Sequence, residues 1–466
     1  MKKILYPTVL LFMALKLNAQ NDSTTLNIEQ FLSIVRVYHP IVRLSNINIQ
    51  KSSANILIAK GEFNPILSNT MSNKTFANTK YYNVINPDIT IPTWYGIEAS
   101  LGTQNIVGNR LDASETVGQM SYVGVNVPLL KNLAMDKRRA YLKQSKVYNE
   151  MAYTEQKALI NTILMEAATQ YWQWVNTYKI YEIIEKNYLN SQQRLDMIKK
   201  TVKNGERPAL DTIEALTQLQ YFEIQKNESW YTFLNEGINL SSYLWQTNNL
   251  PYQLPNTIIP DNDWENENVL NKFQLNLMEL LENARELHPE LKMYNQKLVV
   301  LDIEKKLKFQ ELLPKLDFKY NHLSKGNDVL QGKGLFFQDN FQYGLKFEMP
   351  LFLSKGRGEY KISKLKIEET KIEQTQKKVA IELKIKNYYN EYLNLKTQIK
   401  IQSNLQNNLY KMLQAEETLF KNGESSMFLI NSRENKLLEA NRKLIETKTK
   451  FLKTIYALQW SAGLLN

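Results

Sequence analysis

Residues 203–219, "KNGERPALDTIEALTQL", and residues 421–437, "KNGESSMFLINSRENKL", begin with the same four letters, 218 positions apart. Each reads as the reversal of a helix hairpin. Asn204-Gly205 and Asn422-Gly423 stop one helix, because glycine accepts the left-handed backbone of a C-cap, and Pro208 or Ser425-Ser426 starts the next. A turn written twice at such a distance predicts a chain written twice.

Upstream, "LNIEQFLSIVRVYHPIVRLSNINIQKSSANILIAKGEFNPIL" from Leu26 aligns without a gap on "LNLMELLENARELHPELKMYNQKLVVLDIEKKLKFQELLPKL" from Leu275. His39-Pro40 falls on His288-Pro289, Arg36 on Arg285 and Pro65 on Pro314. Further on, "YVGVNVPLLKN" matches "YGLKFEMPLFLSK", with Pro128 opposite Pro350. The offset is 249 at the His-Pro pair, 222 at the later prolines and 218 at the turn glycines, so nearly all the length difference lies between Pro65 and Pro128. The first copy has the longer middle.

After the later prolines, apolar residues step by three and four. They run Ile160, Leu164, Ala167, Tyr171, Trp174, Tyr178, Tyr181 in one copy and Ile381, Ile385, Tyr388, Tyr392, Leu395, Ile399 in the other. This is the pattern of a coiled-coil seam. No proline interrupts residues 137–202 or 358–421, and at ~1.5 Å per residue each predicted helix is about 95 to 100 Å long. The returning helices, 208–245 and 425–461, have only 38 and 37 residues, but the helices 40–62 and 290–312 supply 23 more each. Each copy is expected to form two parallel columns, one continuous and one of two helices end to end.

Between Pro65 and Pro128, and between Pro314 and Pro350, the period changes to two: "WYGIEASLG", "YVGVNV", "LDFKYNHLS" and "FQYGLKFEM" alternate. They read as two strands per copy, joined by the loops "FANTKYYNVINPDITIP" and "SKGNDVLQGKG". Tyr81, Tyr82, Trp94, Tyr95, Tyr122, Phe336, Phe337, Phe341 and Tyr343 cluster at strand ends, as in the aromatic girdles of membrane barrels. Open strand edges are not tolerated in lipid. Four strands per chain would therefore close only by oligomerisation.

The start, "MKKILYPTVLLFMALKLNAQ", has lysines before an apolar core and Ala19 as a cleavage residue, the signature of an export signal rather than a span. The layout is then a signal peptide at 1–19, a first repeat at 20–245, a linker at 246–274 and a second repeat at 275–466. The first repeat divides into helices 26–62, strands 66–130 and a helix hairpin 137–245; the second into helices 275–312, strands 314–352 and a hairpin 358–461. No cysteine is present, which excludes disulfides, cysteine metal sites and an N-terminal lipid anchor. The formal charge of +11 falls to +8 once Lys2, Lys3 and Lys16 leave with the signal, and the remaining lysines alternate with glutamates as on a solvated surface, not a nucleic-acid face. With three histidines, two of them in the duplicated landmarks, and no H-E-x-x-H spacing, the chain does not read as an enzyme, and no cofactor or metal is expected.

The signal, the duplicated helix-strand-strand-helix-helix order, the "HP" and "PLL" landmarks and the glycine turns together resemble the outer-membrane efflux protein family, the TolC-like channels. The resemblance covers nearly the whole mature chain. It implies a mainly α fold with a transmembrane β-barrel portion, a homotrimer whose 12-strand barrel sits in outer-membrane lipid and continues into a helical tunnel in the periplasm. It implies an exit channel of a tripartite efflux or type I secretion system, docked at its tips to a periplasmic adaptor protein and an inner-membrane pump, proton-driven or ATP-driven. The two inter-strand loops would then lie outside the cell. The family's tip pattern is a Gly, a small residue three on and an Asp six on. The first copy offers Gly205, Pro208 and Asp211; the second offers Gly423 and Ser426 but has Leu429 in place of the Asp. Adaptor docking is accordingly expected at Asn204, Gly205, Glu206, Pro208 and Asp211, and at Asn422, Gly423, Glu424 and Ser426. Asp211, Glu416 and Glu417 are the candidates for a tip constriction. The competing reading is a periplasmic coiled-coil adaptor or structural protein that does not span the membrane; such adaptors have one helical hairpin, whereas two are expected here.

Overall fold

The computed structural model describes residues 25–109, 116–262, 264, 273–326 and 337–465. The segment 1–19 expected to be an export signal, Phe336 and most of "SKGNDVLQGKG" lie outside the described residues. The first copy runs through α1 (Ile28–Tyr38), α2 (Pro40–Gly61), four strands, α3 (Lys137–Lys203) and α4 (Leu210–Ser241). The second runs through α5 (Leu277–Leu287), α6 (Pro289–Gln310), two strands, α7 (Ser354–Lys421) and α8 (Met427–Ser461). The helices α3 and α7 have 67 and 68 residues, or about 100 Å each.

Two helices lie along each long one. Beside α3, α2 is fastened by Ser52 Oγ donating to Asn149 Oδ1 at 2.7 Å and Gln156 Nε2 donating to Asn46 Oδ1 at 2.6 Å. Further down, α4 takes over, with Gln170 Nε2 donating to Glu236 at 2.6 Å and Phe222 packed on Ile184. Where α4 ends and α2 begins, the His39 ring lies 6.1 Å from Tyr243 and 6.5 Å from Trp245. In the second copy, Gly463 just past α8 abuts His288 and Pro289 at the start of α6. The His-Pro landmarks are therefore the joints of the stacked columns. Proline supplies the first helical position, and the imidazole Nδ1 of His39 or His288 accepts a backbone N–H of Ile41 or Glu290, at 3.3 and 3.2 Å.

The most extensive core of the described residues, at mid-height, joins the copies. Phe31 stacks on Tyr171 at 5.6 Å, Trp174 on Phe233 at 5.9 Å and Tyr392 on Phe451 at 5.3 Å, each ring worth about 1.5 to 3 kcal/mol of burial. The same clasp occurs in both copies. Tyr171 donates to the Leu26 carbonyl at 2.8 Å and Tyr392 to the Phe273 carbonyl at 2.6 Å, so a tyrosine of each long helix holds the chain entering α1 or α5. Burial pushes the Tyr171 phenol well above its ordinary range, keeping it a donor. Two short parallel strands, β1 (Thr25–Leu26) and β6 (Ile259–Pro260), complete this belt.

At the other end, β2 (Ile66–Phe76), β3 (Thr79–Pro92), β4 (Glu98–Val107), β5 (Gly118–Pro128), β7 (Lys315–Lys325) and β8 (Phe341–Glu348) form one antiparallel sheet in that order. Pro65 lies between α2 and β2, Pro128 ends β5, Pro314 precedes β7 and Pro350 follows β8. Ion pairs gird this boundary: Arg138–Glu98 at 2.5 Å, Lys131–Glu311 at 2.6 Å and Lys308–Glu359 at 2.8 Å.

The middle of the first copy corrects the sequence reading. Residues 76–92 are not a loop: Ala77 and Asn78, both at positive φ, make a tight turn, and Thr79–Pro92 is a strand paired on both sides. Asn86 lies at mid-strand opposite Thr70, not at a loop tip. Among the described residues this sheet therefore has six strands, not four. The asparagine, proline and aspartate of "INPDI" look like turn formers, but here Pro87 replaces only ladder contacts. The pairing of β3 with β4 skips Asn86 and Pro87 and resumes in the same register, because proline has no N–H to give.

Candidate functional site

Two parts of the molecule present organised surfaces: the sheet and the paired helix tips. Register in the sheet puts alternate residues on opposite faces. Ile91, Ala99, Val125, Tyr320 and Tyr343 align across five strands in one row, and Thr90, Ser100, Gly124, Asn321 and Gln342 align in the next. One face is apolar and the other polar. The apolar face extends to the edges, where Leu67 is 76% and Phe347 64% exposed. Such a face in water would cost stability, so its natural surroundings are apolar. No helix among the described residues is long and apolar enough to cross a membrane.

Both tips close by the same cap. The Gly205 N–H donates to Val202 at 3.0 Å and the Glu206 N–H to Thr201 at 3.0 Å; the Gly423 N–H donates to Phe420 at 3.1 Å and the Glu424 N–H to Leu419 at 2.9 Å. These are two Schellman motifs, with Gly205 and Gly423 at φ +76° and +80° and open space around each. The departures differ. Pro208 leads into α4 with no side-chain cap on Ala209, whereas Ser426 Oγ accepts the Leu429 N–H at 3.4 Å.

No protein-family model matches the sequence, and no curated protein matches it. Solved structures match over nearly the whole chain. CusC, described in terms of transmembrane channel formation, superposes with a TM-score of 0.64 at 13% identity over 93% of this chain and 91% of its own. The outer membrane channel CmeC of Campylobacter jejuni gives 0.62 at 13% identity over 94% and 85%, and the open state of the outer membrane channel MtrE of Neisseria gonorrhoeae gives 0.63 at 10% over 94% and 88%. The chain has the fold of the TolC-like outer-membrane channels.

Within the TolC-like fold, the three tip carboxylates singled out by the sequence are all engaged. Asp211 is buried against Arg207 at 3.2 Å. Glu416 is buried, accepts Ser425 Oγ at 2.5 Å and lies 3.6 Å from Arg433; Glu417 lies 3.8 Å from Arg194. Asn204, Glu206, Asn422, Gly423 and Glu424 lie in the exposed turns.

Sequence reading missed the residues that tie the tips together. The Arg207 guanidinium lies 3.5 Å over the Phe420 ring and donates to the Phe420 carbonyl. Arg194 of α3 forks onto Glu434 of α8 at 2.8 and 3.0 Å, with Glu434 only 2% exposed. Met427, at the start of α8, is buried among Leu195, Ile198 and Ala215 of the first copy. Arg207 follows the repeated turn directly, and the second copy has Ser425 there; that break in the repeat was the available signal.

Proposed function

We propose that three copies of this chain form an exit channel in the outer membrane, the sheets building a barrel in lipid and the helices a tunnel through the periplasm. The observation that carries this reading is the two-faced sheet with open edges, set at the end of helix hairpins about 100 Å long. A single copy also leaves an apolar seam on α7 uncovered, with Ile362, Leu365, Ile372, Val379 and Leu383 all about half exposed. Their spacing of three, four and seven is that of a helix–helix seam, and a neighbouring copy would cover it. The likeness to solved channels spans both repeats and supports the channel over the one-hairpin adaptor.

In this reading the tips at Gly205 and Gly423 meet a periplasmic adaptor that links the channel to an inner-membrane pump, in a tripartite efflux or type I secretion system. Each glycine both permits the cap and leaves the turn bare. The double substitution Gly205→Val with Gly423→Val places β-branched residues at positive φ, about 1 to 3 kcal/mol of local strain at each site. Export should be lost while trimer in the outer membrane stays near its normal amount. Normal efflux from a normal amount of double-mutant trimer would refute docking at the tips.

A further inference from the structure

We infer that the membrane wall has eighteen strands rather than twelve, six from each of three copies, closed by pairing the free edge of β8 with the free edge of β2 in the next copy. This rests on the channel reading above and adds the architecture of its wall.

First, the extra strands are part of the wall. The apolar face continues onto them: Leu67 of β2 pairs with Ile89 of β3, Met71 with Ile85, and Ile89 in turn with Leu101 of β4. The turn between β3 and β4 lies at the helical end of the sheet, where Trp94 stacks at 4.3 Å on Phe63, which follows α2. Strands β2 and β3 therefore run the full height beside β4 and β5. Their lengths of 11 and 14 residues suffice for a tilted transmembrane strand, which needs about 9 to 11.

Second, the stagger is that of a barrel. The row through Ile66, Thr90, Ser100, Gly124, Asn321 and Gln342 starts at the helix-proximal first residue of β2 and reaches β8 six residues above its helix-proximal end at Glu348. Six residues of ~3.3 Å over five strand steps of ~4.8 Å is a tilt of about 40°, inside the range of roughly 35 to 45° for barrels. At that tilt eighteen strands make a ring about 110 Å around, while twelve make roughly 75 Å. Twelve helix columns at ~9 Å spacing need about 110 Å. The wider wall fits the tunnel it caps.

Third, both edges are open and antiparallel to one another: β2 leaves the helical end and β8 returns to it. Successive strand steps shift this row by zero or two residues. Continuing that progression and keeping apolar and polar faces aligned, Gly344 of one copy meets Thr70 or Ser72 of the next.

The chain has no cysteine, so introduced pairs stand on a clean background, and a side chain added at Gly344 meets open space. Gly344→Cys combined with Thr70→Cys or with Ser72→Cys should give an oxidant-dependent link between copies in outer-membrane trimers. The yield in one register should be at least about tenfold above Gly344→Cys with Met71→Cys, whose side chains point to opposite faces. Gly344→Cys with Gln104→Cys tests a wall closed through β4. A link there, with none to Thr70 or Ser72, in an outer-membrane trimer overturns the eighteen-strand wall and leaves the channel reading standing. Recovery of the unmodified chain as a soluble monomer overturns both. Strand counting by electron cryomicroscopy of the unmodified trimer needs no substitution: eighteen is expected, and twelve refutes the inference.

Discussion

The two tips stop their incoming helices with the same pair of hydrogen bonds, yet start their outgoing helices by different means. At the first, Arg207 and Pro208 follow the turn and Asp211 is buried beneath Arg207; at the second, Ser425 and Ser426 follow it and Ser426 caps the helix. Ending a helix at a reversal is a backbone problem, and a left-handed glycine is its standard solution. Beginning one is a side-chain problem with several solutions. Two halves built alike can therefore diverge at helix starts without losing their common level. One side chain freed by that divergence joins the halves, Arg207 reaching Phe420, and Arg194, within α3, adds a second tie to Glu434.

The largest effect is expected where the two halves are joined. Glu434→Ala removes the bidentate partner of the buried Arg194 guanidinium and leaves it only the longer 3.8 Å contact to Glu417, which should destabilise the tips by about 3 kcal/mol, the low end for a broken buried pair, read as faster hydrogen exchange in residues 190–203 and 427–438. Arg194→Met with Glu434→Leu should recover most of the loss. If Glu434→Ala leaves exchange unchanged, the halves are not coupled at this pair.

A smaller effect separates the two helix starts. Ser426→Ala removes a side-chain cap and should cost about 1 kcal/mol. Pro208→Ala removes none and acts mainly through the unfolded chain, by ~0.4 to 1 kcal/mol. Local exchange at the first turns of α8 and α4 measures both, and the reverse order of effects would break the comparison between the tips.

The smallest effect falls on the joints, where the copies should behave alike. Burial holds both His39 and His288 below the ordinary imidazole value of 6.5. In addition, a protonated Nδ1 could not accept the backbone N–H it caps. A lowered folded pKa means that the contribution is whole above the unfolded value and is lost as pH falls from about 6.5 through the folded values. Thermal stability should therefore drop between about pH 7 and 5. His39→Asn with His288→Asn, which keeps a capping acceptor but does not titrate, should flatten that drop. An unchanged slope would remove the histidines from the account.

The long helices and the tip turns were legible because their signals are local: uninterrupted heptad-like spacing and an Asn-Gly stop. The His-Pro landmarks could be seen as paired, but not as caps, since that role depends on where the imidazole points. The strand Thr79–Pro92 was hidden by Pro87, whose missing donor is tolerated at one gap in an otherwise paired strand. Arg207 and Arg194 read as solvated charges because their partners, Phe420 and Glu434, lie 213 and 240 positions away. Nothing within a helical turn of Arg194 announces a buried acceptor, and Asp211, one turn on from Arg207, reads as an ordinary i,i+4 partner.

The joint between α4 and α2 has a mechanical consequence. Below it, α4 extends 32 residues to the tip, a lever arm of about 48 Å. A rotation of only ~5° at the joint would carry the tip sideways by roughly 4 Å at that arm length, while the uninterrupted α3 beside it bends as a spring. Small changes of angle at mid-height are thereby geared into atomic-scale displacements at the far end, and the stiffness of α3 and α7 sets the force needed to make them.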